Sequence, residues 1–295
     1  MHEAIRLKAG CKINLWLVIK GVLENGYHEL ETVFYPLSDP HDTLVVTPRE
    51  GQGIVFTCSD SALDGQDNLV VRAYTTYAEA TGFAPGIDVY LEKVVPTGAG
   101  LGGGSSDAAA MLRYLDQSAR QSGEKGLALD ALIDIAAGLG ADVPVFLLGK
   151  PALATGIGEK LVSVAIDMTG MTLVLACPDV HVSTAWAYKA YDEHVASREA
   201  EKIDDEDLTS RLRRHTHMPF QNGVMLYNSF EEVVFSQYPE ICRLKEILLT
   251  NGALGALMTG SGAAVFGLFH QAEAARNVKC SLDKSGIRTY LAHLG

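Results

Sequence analysis

The sequence lacks the features that mark membrane proteins and disulfide-rich secreted proteins. No apolar run approaches the roughly 20 residues that a helix needs to cross a bilayer. The N-terminus also lacks the charged-then-apolar order of a signal peptide, so we expect a cytoplasmic protein that does not associate with membranes. The five cysteines are scattered and never stand in C-x-x-C spacing, which favours reduced thiols over a disulfide framework or a zinc site.

Positive charge is also scarce. Lysine and arginine number 24 against 36 aspartates and glutamates, which gives a formal net charge of −12. Binding to nucleic acid relies on Lys and Arg neutralising phosphates, so we expect no nucleic-acid partner, and no protein partner is implied. An acidic protein can still bind a small nucleotide where backbone N–H groups and a few lysines focus positive potential locally.

The composition that remains is that of a compact globular protein. The chain has 295 residues, of which 47% are apolar and 20% charged, and it shows no internal repeat and no low-complexity segment. Such a length can bury a sizeable core without disulfides or metals. Period-2 and helical patterns alternate along it, which predicts an α/β (α+β) fold.

The predicted strands and helices follow these two periodicities. The predicted strands are 5–20 with a break near Gly10, 43–48, 53–58, 87–94, 171–177, and a hairpin of 254–258 and 263–269. The predicted helices are 68–81, 106–121, 129–138 and 239–250. Residues 193–217 are the most polar and predict a solvated helix and loop, including the basic cluster at 211–217. We place a domain boundary near residue 160, with domains 1–160 and 161–295.

The most informative local feature is a glycine loop between a strand and a helix. Five of the seven residues 98–104 are glycine, which lets the backbone approach a ligand closely. Loop and helix N–H groups would then form an anion cradle, with the following serines capping the helix or reaching a phosphate or magnesium ion. A glycine-rich turn without a ligand is the alternative, and its entropic cost argues against it. The candidate residues are Pro96, Gly98, Gly100, Leu101, Gly102, Gly103, Gly104, Ser105 and Ser106.

The type of anion is not fixed by the loop alone. The sequence has no G-x-x-x-x-G-K-[ST], so it is not a P-loop protein of that kind. Gly98-x-Gly100-x-x-Gly103 does match the dinucleotide fingerprint, which also needs an acidic residue at the end of a second strand about 20 residues on. That stretch continues here as a helix and a glycine-containing loop at 121–127. A dinucleotide-dependent oxidoreductase therefore stays as an alternative.

Three stretches of the sequence resemble the signature motifs of the GHMP kinases. The glycine loop resembles their second motif, residues 256–266 resemble the third, and residues 9–15 the first. Asn25–Leu30, Leu139–Pro144 and Ala154–Glu159 resemble the branch that phosphorylates the 2-hydroxyl of a cytidine diphosphate derivative of methylerythritol, in the non-mevalonate route to isoprenoids. The resemblance implies a two-domain fold with the active site in the cleft between the domains, and ATP and Mg²⁺ as cofactors.

The resemblance also implies roles for the residues that match the motifs. Asp142 is the base that accepts the substrate's proton, although an Asp before Val-Pro is often only a turn or cap residue. Lys12 orients Asp142, although a lysine in an apolar strand usually extends to water. Asn14, on the same strand face, is a weaker candidate for this site. Presence of both Lys12 and Asp142 argues against a non-catalytic regulator of the same fold.

Further residues are assigned to the two ligands. Tyr27 and Tyr188 would sandwich cytosine and His28 would bond its edge, although a Tyr-His pair more often packs on a surface. Asn68 and Lys93 are assigned to ATP. Gly260, Ser261 and Gly262, from the third motif, are assigned to the substrate. A homoserine or mevalonate kinase is the nearest alternative, and it would not need the cytosine pocket.

Overall fold

A computed structural model describes residues 3–200 and 226–295, which form two β-sheets with helices packed against them. In these ranges the strands are Ile5–Val22 (β1), His28–Gln52 (β2), Ile54–Cys58 (β3), Pro85–Glu92 (β4), Ala152–Thr155 (β5), Lys160–Ser163 (β6), Thr172–Cys177 (β7), Tyr227–Asn228 (β8), Gly255–Met258 (β9), Val265–Phe269 (β10) and Arg288–His293 (β11). The helices are Leu69–Thr81 (α1), Gly103–Gln121 (α2), Leu129–Leu139 (α3), Val143–Leu148 (α4), Thr184–Ala200 (α5), Glu231–Gln237 (α6), Pro239–Thr250 (α7) and Ala272–Lys284 (α8). No helix within the described ranges is long and apolar enough to cross a membrane.

The first sheet has the strand order β3-β4-β2-β1-β8, with β5 paired to β2 and β6 to β5. The second sheet has the order β11-β7-β10-β9. The mixed fold is as predicted, and most predicted elements are confirmed to within a few residues. The part of the polar segment 193–217 beyond α5 lies outside the described residues.

Strand β2 is longer than the sequence predicted. Residues 43–48 are only its second half, and the strand continues back to residue 28 through two prolines. Ala9 pairs with Asp42 and Cys11 with Leu37, so residues 38–41 bulge out opposite Gly10. A Cβ on Gly10 would lie 2.1 Å from the Leu37 carbonyl oxygen, which is why glycine is needed there. The break predicted near Gly10 is therefore a bulge within a continuous strand.

A shared core joins the two sheets and sets the orientation of β1. Its buried members include Cys11, Ile13 and Leu15 from β1 and Leu173, Leu175, Phe266 and Leu268 from the second sheet. Successive side chains of a strand point to opposite faces. Lys12 and Asn14 therefore project from the other face, toward the glycine loop and α4.

The short strand β8 comes from the second half of the chain but extends the first sheet. It pairs in parallel with Trp16 and Leu17 of β1. One sheet thus combines strands from before and after residue 160, and the domain boundary placed there stays a prediction.

Candidate active site

The glycine loop connects β4 to α2 in a conformation that favours glycine. Gly98, Gly100 and Gly102 have φ angles of 70°, 77° and 69°, a region that other residues rarely adopt. Gly102 is the N-cap of α2, so the helix begins at Gly103. The first N–H groups of a helix lack acceptors within it. This end of α2 therefore offers donors and a positive dipole end to an anion.

The prediction that Ser105 or Ser106 caps this helix was wrong. Both serines lie inside the first turn, and the cap residue Gly102 makes no side-chain hydrogen bond. The helix starts earlier, at Gly103, because the backbone leaves the left-handed region directly after Gly102. Gly103 also packs closely, since a Cβ there would lie 3.0 Å from Cγ1 of Val95. The two serines also separate, since Ser105 lines the cavity beside the loop whereas the buried Ser106 lines a different one.

The loop borders a cavity of about 350 Å³, within the size range of small-molecule sites. Every residue predicted to bind ATP, except Ser106, lines this cavity. The lining residues are Leu63, Asp67, Asn68, Leu69, Lys93, Pro96, Thr97, Gly98, Gly100, Leu101, Gly102, Gly103, Gly104, Ser105 and Asp107.

Asn68 and Lys93 reach this cavity with their side chains already engaged by the protein. Asn68 is the N-cap of α1, accepting from the amide of Val70 at 2.9 Å and donating to the carbonyl of Leu63 at 3.0 Å. The ammonium of Lys93 donates to Asp42 at 2.5 Å and to Asp107 at 3.0 Å. Both side chains thus hold the cavity wall in place, and their contact with ATP stays a prediction.

The ion cluster of Asp42, Lys93 and Asp107 is almost completely buried. The Asp42 side chain has no exposed area, and those of Asp107 and Lys93 are 3% and 9% exposed. The second carboxylate oxygen of Asp42 accepts the amides of Val94 and Val95, at 2.5 and 2.9 Å. This arrangement ties the segment after β4 to the bulge of β2 and so fixes where the glycine loop begins.

Burial and the neighbouring carboxylate of Asp42 raise the pKa of Asp107 to about 7, against the opposing effect of Lys93. Burial alone would lower the pKa of Lys93, but the carboxylates of Asp107 and Asp42 outweigh this effect, so the pKa of Lys93 is raised. Oδ1 of Asp107 is buried without a hydrogen-bond partner. With two carboxylates for one ammonium, the cluster holds a proton more readily than an isolated ion pair does.

Lys12 and Asp142 form a close pair next to the loop. Nζ of Lys12 lies 3.4 Å from Oδ2 of Asp142 and donates to Oδ1 of Asn14 at 2.7 Å. The Lys12 side chain is 4% exposed and its ammonium lies 5.1 Å from the centroid of Phe34. Most lysines in strands extend to water, but the Lys12 side chain stays inside the protein.

Asp142 has a side chain that is available for chemistry. It precedes α4 at the N-cap position, but its carboxylate makes no capping hydrogen bond. Its side chain is 31% exposed, whereas that of Lys12 is 4% exposed. The alternative that Asp142 serves only to cap a helix is therefore not supported by its geometry.

The third glycine motif is fastened directly to β1 and to the glycine loop. Thr259 Oγ1 accepts the amide of Asn14 at 3.0 Å and lies 3.1 Å from Oδ1 of the same residue. A Cβ on Gly100 would come within 2.2 Å of the Thr259 carbonyl oxygen, so the two glycine segments touch backbone to backbone. Ser261 bonds the Thr184 hydroxyl at 2.9 Å. All three signature motifs thus meet at one place.

Several polar residues that no sequence motif marks hold this site together. Asn228 donates to the carbonyls of Met258 and Gly260, at 2.7 and 2.8 Å, and Thr32 accepts from Asn14 at 2.7 Å. Asp42 and Asp107 are likewise unmarked. Their signal is a polar residue inside an apolar stretch, but the partners lie far away in the sequence.

The residues predicted to bind cytosine lie at the start of β2 and on α5. The His28 ring stacks on Tyr188, with centroids 4.4 Å apart and planes at 27°, and Tyr188 packs edge-on against Phe230 at 4.9 Å. His28 Nε2 lies 2.8 Å from Oδ1 of Asp192. Tyr27 is 61% exposed. The structure brings His28 and Tyr188 together, and the sandwich between two tyrosines stays a prediction.

Comparisons with known proteins agree with the geometry. The models for the N-terminal and C-terminal domains of GHMP kinases match residues 68–150 and 209–288. The 4-diphosphocytidyl-2-C-methyl-D-erythritol kinase of Solidesulfovibrio magneticus is 47% identical over 294 residues, which cover 99% of this chain and 97% of the relative. The chain belongs to the 4-diphosphocytidyl-2-C-methyl-D-erythritol kinases, within the GHMP kinases. As a member of that family it is an ATP-using phosphotransferase that acts on a small molecule.

Solved structures separate this family from its neighbours. A crystal structure of a 4-(cytidine 5'-diphospho)-2C-methyl-D-erythritol kinase has a TM-score of 0.77 and 34% identity, covering 99% of both chains. A homoserine kinase from Cytophaga hutchinsonii has a TM-score of 0.65 but 19% identity, covering 98% of this chain and 95% of the other, which shows a common fold alone. The oxidoreductase alternative is not supported, because the glycine fingerprint here belongs to a GHMP motif.

Proposed function

We propose that this kinase transfers the terminal phosphoryl group of ATP to the 2-hydroxyl of 4-diphosphocytidyl-2-C-methyl-D-erythritol, with Asp142 as the base. The observation that carries the mechanism is the uncapped carboxylate of Asp142 3.4 Å from the buried ammonium of Lys12. The full-length similarity to kinases named for this substrate supports the choice of substrate.

In this mechanism the substrate hydroxyl gives its proton to Asp142 as its oxygen attacks the terminal phosphorus. A new oxygen–phosphorus bond forms, and the bond to the bridging oxygen of ADP breaks. Phosphoryl transfer depends mostly on positioning and on stabilising charge. Lys12 keeps Asp142 in place, and N–H groups of the glycine loop and of α2 stabilise the phosphate oxygens.

The residues at the loop are compatible with a magnesium ion. The described ranges contain no group of three or more His, Cys, Asp or Glu side chains suited to hold a metal, but Mg²⁺ in kinases is bound mainly by phosphates and waters with one or two protein oxygens. The Ser105 hydroxyl lines the cavity, and Asp107 has a carboxylate oxygen without a partner. We assign Ser105 rather than Ser106 to this role. When bound there, the ion would neutralise the negative charge of the phosphates.

The substrate's base would lie against the aromatic residues of β2 and α5. Stacking on an aromatic ring stabilises a base by roughly 1–3 kcal/mol. The rings available are the exposed Tyr27 and Tyr188, whose one face carries His28 and which packs nearly perpendicular to Phe230. Gly260, Ser261 and Gly262 would face the substrate from the third motif. The free thiols of the described cysteines support the assignment to the cytoplasm.

A kinase assay with three acceptors tests the proposal. Purified enzyme with ATP and Mg²⁺ is offered the cytidine diphosphate substrate, mevalonate and homoserine. We expect phosphorylation of the first and at least 100-fold lower efficiency with the others. Preference for either of the other two would assign the protein to a different branch of the GHMP kinases.

A further inference from the structure

His28 has a second contact besides its stack on Tyr188. Its Nε2 atom lies 2.8 Å from Oδ1 of Asp192, and the His28 side chain is 12% exposed while that of Asp192 is 46% exposed. A carboxylate at this distance accepts a hydrogen bond from the ring. The contact therefore places a proton on Nε2 of His28.

One helix supplies both neighbours of the imidazole. Tyr188 and Asp192 are four residues apart on α5, which puts them on the same face one turn apart. Tyr188 supports the face of the ring and Asp192 bonds its edge. The orientation of a side chain from the first half of the chain is thus set by a helix from the second half.

The position of the proton decides what the other ring nitrogen can do. In a neutral imidazole with a proton on Nε2, Nδ1 is an acceptor. The amino group of cytosine donates at the position where the oxygen of uracil accepts. An acceptor at Nδ1 therefore pairs with cytosine and faces a second acceptor in uracil, a mismatch that leaves buried polar atoms unpaired.

We propose that Asp192 is a specificity-determining residue, which selects cytosine over uracil by fixing the tautomer and orientation of His28. This inference rests on the proposed function, because it takes the substrate to carry cytosine. Asp192 acts through His28 and is a positioning residue rather than a catalytic one.

The first test compares catalytic efficiencies on the cytidine substrate and its uridine analogue. We expect the unmutated enzyme to prefer cytidine at least about tenfold. Asp192→Ala should lower this ratio at least threefold, through KM for the cytidine substrate with kcat nearly unchanged. Asp192→Glu, which keeps a carboxylate, should recover part of the ratio.

Glu193 provides a matched control on the same helix. It is exposed and its carboxylate lies 3.8 Å from Lys189, so Glu193→Ala removes the same charge without touching His28. The ratio of efficiencies should stay at the wild-type value in this variant. An equal fall in both variants would mean that the charge of α5, and not the bond to His28, sets base choice, and it would overturn the proposal.

A spectroscopic test needs no substrate. The ¹⁵N shifts of the His28 ring, measured where the imidazole is neutral, should show a proton on Nε2 in the wild type and a mixture of tautomers in Asp192→Ala. An unchanged tautomer, or an unchanged substrate ratio in an active Asp192→Ala enzyme, would overturn the role of Asp192 alone. A wild-type enzyme inactive on both substrates would instead refute the proposed function, and the role in base choice with it.

Discussion

At Asp142, exchanging the carboxylate for an amide removes the proton acceptor at nearly constant size. Asp142→Asn should lower kcat on the order of 10²–10⁴-fold, as loss of a general base typically does. The side chain caps no helix, but it faces the buried ammonium of Lys12, so we expect a folded protein with a modestly lower Tm. Turnover and Tm are the measurements, with Asp134→Asn, an exposed position on α3, as the control. Activity within a few-fold of the wild type would remove Asp142 from the mechanism.

Asp107 makes the stability of the protein depend on pH. Its folded pKa of about 7 exceeds the ordinary value of 3.8, so the folded state binds a proton that the unfolded chain releases. The contribution of Asp107 to stability is therefore full below about pH 4 and is lost as the pH rises through about 7. In Asp107→Asn this loss should disappear.

Chemical denaturation between pH 4 and 8 measures this difference. The free energy of unfolding of the variant should fall less between these limits than that of the wild type. Identical pH dependence in both proteins would show that the buried cluster keeps Asp107 ionised.

Residue roles were predictable where a motif specifies them and not where distant residues meet. Lys12, Asp142 and the loop glycines stand in recognisable stretches. Lys93 was predicted as an ATP residue, but its buried partners Asp42 and Asp107 lie 51 and 14 positions away. No local pattern connects these three residues, so their ion cluster emerges only from the fold.

Among the elements, adjacent glycines at the start of α2 have different surroundings. Gly104 is exposed and a Cβ there would meet only Leu69, at 3.6 Å, whereas one on Gly103 would press on Val95. Gly104→Val should thus weaken ATP binding at least tenfold with little change in Tm, because its side chain would enter the cavity beside the free N–H groups. Gly103→Val should lower Tm instead.

Calorimetric titration with ATP and thermal melts of both variants make the comparison. Unchanged ATP affinity in a folded Gly104→Val protein would mean that this end of α2 does not contact the phosphates.

Element boundaries were predictable where periodicity is strong. The helices α1, α3 and α7 have clear apolar faces and were found nearly to the residue. Strand β2 was not, because Pro36 and Pro40 look like breakers in a sequence. Pro40 fits because the chain bulges at 38–41, opposite a residue without a side chain. Pro36 stays in register with Lys12, whose amide donates to the Leu101 carbonyl of the glycine loop. That bulge depends on pairing between strands and has no local signal.

At the scale of the whole molecule, the three motifs predicted the family and therefore the fold. They did not predict β8, a two-residue strand whose Asn228 supports the third motif. Because β8 and the shared core bind β1 to the second half, the fragment 1–165 should not fold alone.

Expression of residues 1–165 tests this dependence. We expect an insoluble product, with recovery of soluble protein when residues 166–295 are expressed alongside it. A soluble fragment with the near-ultraviolet circular dichroism of a packed protein would contradict the prediction, and the intact chain serves as the control.

The late position of β8 has a consequence for synthesis of the protein. Trp16 and Leu17 leave the ribosome about 210 residues before the segment that pairs with them. At roughly 5–20 residues per second, the newly made strand waits about 10–40 s for its neighbour. During that time β1 can pair with β2, but its edge at Trp16 and Leu17 lacks β8, and its apolar face lacks the second sheet until that sheet has been made. The nascent chain is therefore most vulnerable to aggregation in the middle of its own translation, and ribosome-bound chaperones that cover β1 would have their greatest effect then.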